Sequence, residues 1–144
     1  MAIIKEASFF VCSTIENLSP SGAVEGEPEI TEAIHNGFYK ISDELLLITY
    51  REDNEGQTVI SDITVTEDSV TVKRTGDIRS EMKFTEGRED KSLYEVPPYA
   101  FDVTVYTTKI RSSLTKDGGR LDIYYKMNIG GADKKVRMRV EVKV

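Results

Sequence analysis

The chain has 144 residues, of which 39% are hydrophobic and 31% charged, and its formal net charge is −6 at pH 7. These values suit one globular domain over residues 1–144 and exclude a disordered chain. The acidic balance disfavours a nucleic-acid partner, because a negative surface repels phosphate backbones.

The N-terminal residues predict a strand over about residues 6–16 and no export signal. Lys5 and Glu6 interrupt the apolar start, and no apolar run approaches the roughly 20 residues of a transmembrane helix. Cys12 is the single cysteine, so no intrachain disulfide can form, whereas secreted domains of this size more often carry several. We therefore expect a cytoplasmic protein without a membrane partner.

Residues 29–41 are compatible with two structures. Pro28 before this segment and Gly37 within it are compatible with a short helix over residues 29–36. A strand bent at Gly37 is favoured, because glycine within a strand often marks a bulge or the corner of a barrel.

Alternation of apolar and polar residues is the dominant signal along the rest of the chain, and it predicts strands with one buried and one solvent face. These segments lie near residues 44–51, 57–66, 70–73, 81–84, 101–106, 121–129 and 136–144. Polar or glycine-rich turns separate them, for example at residues 53–56. The last two segments form a long hairpin around Gly130 and Gly131.

Eight to ten such strands joined by short turns predict an all-β fold, a closed antiparallel barrel. An open sheet of that many amphipathic strands would expose an apolar face and two edges, whereas closure removes both. A β-sandwich is the alternative fold. A barrel of about eight strands either fills its interior with side chains or holds one small ligand.

Several segments resemble the YwiB-like family of uncharacterised bacterial proteins. Arg74-x-Gly76, followed by Ser80-x-Met82-x-Phe84, is similar to that family's Arg-x-Gly and Ser-x-Met/Leu-x-Phe pattern. Further segments that resemble the family are residues 37–39, 47–52, 94–100, 107–110 and 121–125. The resemblance covers most of the chain from about residue 29 onward.

The resemblance implies a lipocalin-like (calycin-type) barrel, found mainly in Gram-positive bacteria. It implies no activity, because the family has no assigned function. This chain departs from the family within residues 94–100, where Val96 replaces a threonine, Ala100 replaces a glycine and a second proline is present. If that glycine needs a positive φ, Ala100 would be strained.

Arg74 is the residue that points most directly to a function. By alternation it shares the inward face of Val70 and Val72, and a charge inside a barrel has to be paired or hydrated. It is interpreted either as an anchor for an anionic ligand or as a structural plug at one end of the barrel. The plug is the favoured interpretation, since ionic groups inside folds are often structural.

Inward-facing apolar and aromatic side chains are the second candidate set. Met82, Phe84 and Tyr125 would line a cavity if the interior is hollow, although packing as core is the favoured alternative. Tyr94 and Tyr99 flank two prolines and would rim the mouth of a pocket, since a tyrosine joins an apolar ring to a polar hydroxyl. A packed loop is the alternative there.

No constellation in the sequence identifies a reaction. His35 is the single histidine and is expected in a solvated turn, and no Gly-x-Ser-x-Gly motif accompanies it. One histidine and one cysteine do not make a tetrahedral zinc site, and the acidic turns match no calcium loop, so no metal or cofactor is predicted. Lys135, Arg137, Arg139 and Lys143 form a basic stripe on the last strand, which could contact RNA or an acidic partner. Cross-strand ion pairing is the favoured interpretation, because Glu141 interrupts the stripe and adjacent strands offer Asp102 and Asp122.

The sequence favours small-molecule binding in or at the mouth of the barrel. The residues assigned to this site are Arg74, Met82, Phe84, Tyr94, Tyr99 and Tyr125. The alternative is a homodimer or other protein-interaction module with a packed barrel and no ligand. An enzyme is the least favoured class, because no catalytic constellation is present.

Overall fold

The computed structural model describes residues 2–144, and it consists of β-strands and turns. The strands are β1 (Ile3–Leu18), β2 (Val24–Ile41), β3 (Leu46–Asn54), β4 (Gln57–Val65), β5 (Val70–Gly76), β6 (Arg79–Phe84), β7 (Glu89–Val96), β8 (Tyr99–Ser112), β9 (Gly118–Ile129) and β10 (Ala132–Lys143). Each strand pairs antiparallel with its neighbour in sequence, and β1 also pairs with β10. The predicted closed antiparallel barrel is confirmed with ten strands, and the alternative sandwich is wrong.

Strand β2 explains why the sequence was ambiguous between residues 29 and 41. The segment is extended throughout, so the favoured strand is confirmed and the helix is wrong. Only residues 37–41 of β2 pair with β3; residues 24, 25 and 29–36 pair with β1 alone. Glycine is required at residue 37, where the pairing of β2 with β3 ends, because a Cβ atom there would overlap the carbonyl oxygen of Thr49 in β3.

The alternating residues place one row of side chains inside the barrel. The largest of these that are almost fully buried are Phe9, Tyr39, Ile48, Ile63, Phe84, Leu121 and Ile123. They come from strands on all sides of the barrel and form a single cluster. Burial of such side chains stabilises a fold by roughly 1.5–3 kcal/mol each, so this cluster is the main source of stability.

The hairpin between β3 and β4 matches the turn expected at residues 53–56. Its two central residues, Glu55 and Gly56, have φ values of 49° and 81°. Positive φ at both positions is typical of the tight turn that follows the right-handed twist of its strands. Glu55 is the one non-glycine residue of 2–144 with a positive φ, so Ala100 is not strained at the position where the family has glycine.

Two buried tyrosines give the fold a defined response to alkaline pH. Burial raises the pKa of Tyr39 and of Tyr125 to about 12, from an ordinary value of 10.0. The hydroxyl of Tyr39 also donates a hydrogen bond of 2.7 Å to the carbonyl oxygen of Thr115. Both phenols therefore stay protonated in the fold at a pH at which the unfolded chain ionises.

We expect the free energy of unfolding to fall as the pH rises from about 10 to about 12, because only the unfolded state releases these protons in that range. Denaturant unfolding at about pH 9 and about pH 11 measures the loss, and tyrosinate absorbance follows the ionisation. The control is Tyr39→Phe, whose stability should fall less steeply over the same range. Equal slopes for the two proteins would contradict the assignment of Tyr39.

Candidate functional site

A cleft opens in the barrel wall between β6 and β7. These strands pair only through Arg79 with Glu95 and Ser80 with Tyr94, whereas β7 pairs with β8 along its whole length. After β6 ends, the turn that leads to β7 contacts β8. There the amide of Gly87 donates a hydrogen bond of 2.8 Å to the carbonyl oxygen of Thr107. Strands β6 and β7 therefore separate between these two contacts, and they are not paired over that part of the barrel wall.

The cleft has a volume of about 630 Å³ and is rich in charge. Its lining residues are Lys73, Arg74, Thr75, Arg79, Ser80, Glu81, Lys83, Asp90, Lys91, Ser92, Leu93 and Glu95. Five of them are basic and three are acidic, so the cleft carries positive charge in a chain whose net charge is −6. A concave site of this sign attracts small anions.

Four of the lining residues have a buried polar atom without a hydrogen-bond partner in the described chain. These atoms are Nε of Arg74, Oγ of Ser80, Oδ2 of Asp90 and Oγ of Ser92. Ser80 as a whole is only 7% exposed. Buried polar groups are nearly always hydrogen-bonded in folded proteins, because an unpaired one costs about 1–3 kcal/mol. The four groups around the cleft therefore need hydrogen-bond partners that the described chain does not supply, whether water or a ligand.

Arg74 lies inside the barrel wall without a counter-charge. It pairs with Ser61 of β4 and Ser80 of β6 in the sheet, and no carboxylate of residues 2–144 lies within 4.0 Å of its guanidinium. Its positive charge acts on two phenols, those of Tyr50 and Tyr125. Burial raises the pKa of Tyr50, and the charge of Arg74 opposes that rise. A plug held by a carboxylate is therefore absent from the described chain.

The other assigned residues are divided between the core and the surface. Phe84 is fully buried, its ring centroid is 4.6 Å from that of Tyr125, and the half-buried Met82 packs against the same cluster. Tyr94 is half-buried opposite Ser80, whereas Tyr99 is 65% exposed where β8 begins. The structure thus brings only Arg74 of these residues to the cleft, places Met82, Phe84, Tyr94 and Tyr125 in or against the packed interior, and leaves Tyr99 outside.

His35 is not in a solvated turn, and that prediction is wrong. It lies in β2 on the inward face, with its side chain 16% exposed. Its ring stacks on that of Tyr50 at a centroid distance of 4.4 Å, and its Nε2 is 3.7 Å from Oε1 of Glu52. The physical reason is that β2 continues as a strand beyond its last pair with β3 at Gly37, so the alternation that turns Tyr39 inward also turns His35 inward.

The described chain gives no support for a resident metal site. Among residues 2–144, no three histidine, cysteine, aspartate or glutamate side chains meet closely enough to share an ion. Over the same residues there is no helix long and apolar enough to cross a membrane.

Comparison with known proteins confirms the family resemblance of the sequence. A relative described as "Uncharacterized beta-barrel protein YwiB", from Bacillus subtilis (strain 168), is 26% identical over 106 residues, which are 74% of this chain and 75% of the relative. The crystal structure of the ywiB protein from Bacillus subtilis superposes with a TM-score of 0.81 at 23% identity, over 98% of this chain and 94% of that chain, and shows the same fold. A family model described as "Domain of unknown function (DUF1934)" matches residues 18–140. The chain therefore belongs to the DUF1934 family of uncharacterised β-barrel proteins.

Proposed function

We propose that this protein binds a small anionic molecule in the cleft between β6 and β7, with Arg74 as the residue that holds the anionic group. The supporting observation is the guanidinium of Arg74, which lies at the cleft without a carboxylate partner and has a buried, unpaired Nε. Arginine presents five donors and no acceptor, so an anion is the complement that it lacks.

The remaining unpaired groups narrow the chemistry of the ligand. The hydroxyls of Ser80 and Ser92 can donate to an anionic oxygen, whereas Oδ2 of Asp90 needs a donor. The ligand is therefore a small carboxylate or phosphate ester that also carries a hydroxyl or an amine. It enters through the wall of the barrel, since the centre is occupied by the side chains around Phe84.

Calorimetric titration with inorganic phosphate, malate and glycerol phosphate tests this proposal. We expect saturable binding of at least one of these probes, weakened roughly ten- to a hundredfold in Arg74→Met, because a hydrogen bond to a charged group contributes about 1.5–3 kcal/mol. Arg51→Met is the matched control, since Arg51 lies on the outer face and pairs with Asp53 at 3.1 Å. No binding of any probe, or equal binding by Arg74→Met and the wild type, would contradict the proposal.

The stability of Arg74→Met separates a ligand anchor from a structural plug. An anchor is an unpaired, partly buried cation, so its replacement by an apolar side chain of similar length should change the free energy of unfolding by less than about 1 kcal/mol. A plug that is paired inside the barrel should lose about 3 kcal/mol or more. Urea unfolding of both arginine variants measures the difference, and a loss of the larger size confined to Arg74→Met would assign a structural role.

A second copy of the chain is the other candidate partner, and one observation favours it. The edge of β2 over residues 24–36 has no second strand beside it in the described chain, and Ile30 and Ile34 on its outer face are 61% and 73% exposed. Unpaired edges of this kind pair readily with another chain. Light scattering should then give a dimer mass that Ile34→Glu reduces to that of a monomer, and a monomeric wild type at high concentration would remove this candidate.

A further inference from the structure

The outer face of four adjacent strands concentrates the basic residues of the chain. Strands β8, β9, β10 and β1 lie side by side, and the alternation that buries Leu121 and Val140 turns the intervening residues outward. The outward basic residues on three of these strands, here called the basic face, are Lys109, Arg111, Arg120, Lys126, Lys135, Arg137, Arg139 and Lys143. None of them lines the cleft between β6 and β7.

One buried carboxylate organises the arginines of the basic face. Oδ2 of Asp122 is 3.0 Å from Nε of Arg120, and Oδ1 is 3.0 Å from Nε of Arg139 and 3.5 Å from an outer nitrogen of Arg137. The Asp122 side chain is 5% exposed, whereas those of the three arginines are 30–50% exposed. The predicted cross-strand ion pairs are therefore present at Arg137 and Arg139.

The ion pairs leave most of the arginine donors unused. Each guanidinium has five N–H donors, whereas one carboxylate offers about four acceptor positions. Three arginines therefore share a single negative charge, and Nε of Arg137 has no partner in the described chain. The carboxylate holds the guanidinium groups in place. The three side chains are 30–50% exposed, so their remaining donors, apart from the buried Nε of Arg137, are within reach of a phosphate, which can accept two of them at once.

The acidic residues of the four strands leave this surface with an excess of positive charge. Glu16 stands opposite Lys135, and Glu141 stands opposite Arg120. The other outward carboxylates belong to Glu6, Asp102, Asp122 and Asp133, so eight basic residues face six acidic ones, although the chain as a whole has a net charge of −6. The sequence predicted no nucleic-acid partner because the net charge is negative and the basic residues of the last strand were assigned to ion pairs, whereas the fold adds basic residues of β8 and β9 to them.

Aromatic side chains lie among the basic residues. The guanidinium of Arg137 lies over the ring of Tyr124 at 5.1 Å from its centroid, and Tyr106, opposite Lys126, is 43% exposed. Arg137, Lys126 and Lys135 also line a groove of about 310 Å³ on this face. Basic grooves with exposed aromatic rings hold single-stranded nucleic acids, because the rings stack on bases while the cations contact phosphates.

We propose that the basic face binds single-stranded nucleic acid. Arg139, Arg137 and Lys135 alternate along β10, so successive charges are roughly 6.8 Å apart, and a row of this kind can contact successive phosphates of an extended strand. An acidic polypeptide would satisfy the charges but would make no use of the exposed ring of Tyr106.

Fluorescence anisotropy with a labelled oligouridylate and a labelled oligothymidylate tests the proposal. We expect binding in about 50 mM salt that weakens as salt rises, with a slope of log K against log[salt] near −3 for four to five contacted phosphates, at about −0.7 for each. Lys126→Gln/Lys135→Gln should reduce the magnitude of that slope by about 1.4. Lys126→Glu/Lys135→Glu should weaken binding more than tenfold.

The matched controls are Lys40→Gln/Lys116→Gln and Lys40→Glu/Lys116→Glu, which change the same net charge at exposed lysines outside the basic face. They should bind as the wild type does, and so should Arg74→Met, which separates this surface from the cleft. The proposal is overturned by an absence of binding at about 100 μM protein in low salt. It is also overturned by equal losses in the two sets of lysine variants, or by displacement with polyglutamate at the concentration at which unlabelled oligonucleotide displaces the probe.

Discussion

Gly37→Ala is expected to destabilise the barrel by about 3 kcal/mol, because the added methyl group has no place to go. Its Cβ would overlap the carbonyl oxygen of Thr49 and lie within 3.1 Å of Cα of Tyr50. Both atoms belong to the backbone of β3, so no side-chain rotation relieves the overlap. Strand β3 would have to move away from β2. Only five residue pairs join these two strands, so the movement would disturb a large part of their contact.

Chemical denaturation followed by circular dichroism measures this loss, and Gly26→Ala is the control. No atom lies within 4 Å of a Cβ at residue 26, although the φ of 69° there adds strain of roughly 1 kcal/mol. The overlap at residue 37 should therefore exceed the cost at residue 26 clearly. Equal stability of the two variants would contradict the close approach of residue 37 to the backbone of β3.

Phe84→Ala is expected to lower the free energy of unfolding by about 3–5 kcal/mol, the usual range for the removal of a buried aromatic ring. Phe84 is completely buried and contacts Tyr125 in the single core cluster. The same truncation of a residue that lines a hollow interior would lower the free energy of unfolding much less, because its ring would face solvent or ligand in place of packed neighbours.

Tyr99→Ala is the matched aromatic truncation, at a side chain that is 65% exposed. Surface substitutions of this kind usually change stability by less than about 0.5 kcal/mol. Urea midpoints of the two variants give the comparison directly. If Phe84→Ala is as stable as Tyr99→Ala, the interior around Phe84 is not a packed core, and a ligand within the barrel would again have to be considered.

The architecture could be predicted because it depends on a local pattern. Alternation along residues 121–129 and 136–144 specifies which side of each strand is buried, and the β9–β10 register pairs Tyr125 with Val136 as a hairpin around Gly130 requires. Closure also follows, since so many amphipathic strands otherwise expose an apolar face. The number of strands was bounded only as eight to ten, because strand ends in polar turns carry little signal.

The candidate cleft was only partly predictable. The inward parity of Arg74 was evident, and Ser80 has the same parity as Met82 and Phe84, so its inward position was present in the pattern but not used. Asp90 and Ser92 were not among the residues assigned to a site, because the polar residues 86–90 are typical of a turn, whereas β7 begins at Glu89. The separation of β6 from β7 depends on pairing across the whole sheet, which no local pattern contains.

The basic face could likewise be predicted only in part from the sequence. The basic residues of the last strand were visible in the sequence, and so was Asp122, but Arg120 and Arg111 join them only through the registers of β10 with β9 and of β9 with β8. The net charge is a property of the whole chain and does not show where the fold places the charged residues. For this reason the surface that carries the further inference appears only when the strands are placed side by side.

Native mass spectrometry of freshly purified wild-type protein and of Arg74→Met tests the central claim most directly. If the cleft holds a small anion through Arg74, the wild type should retain an adduct of small mass that phosphate or malate displaces, and Arg74→Met should be free of it while its thermal stability stays close to that of the unliganded wild type. An adduct of the same mass and occupancy on Arg74→Met would contradict the account, and so would a wild type that binds none of the added anions.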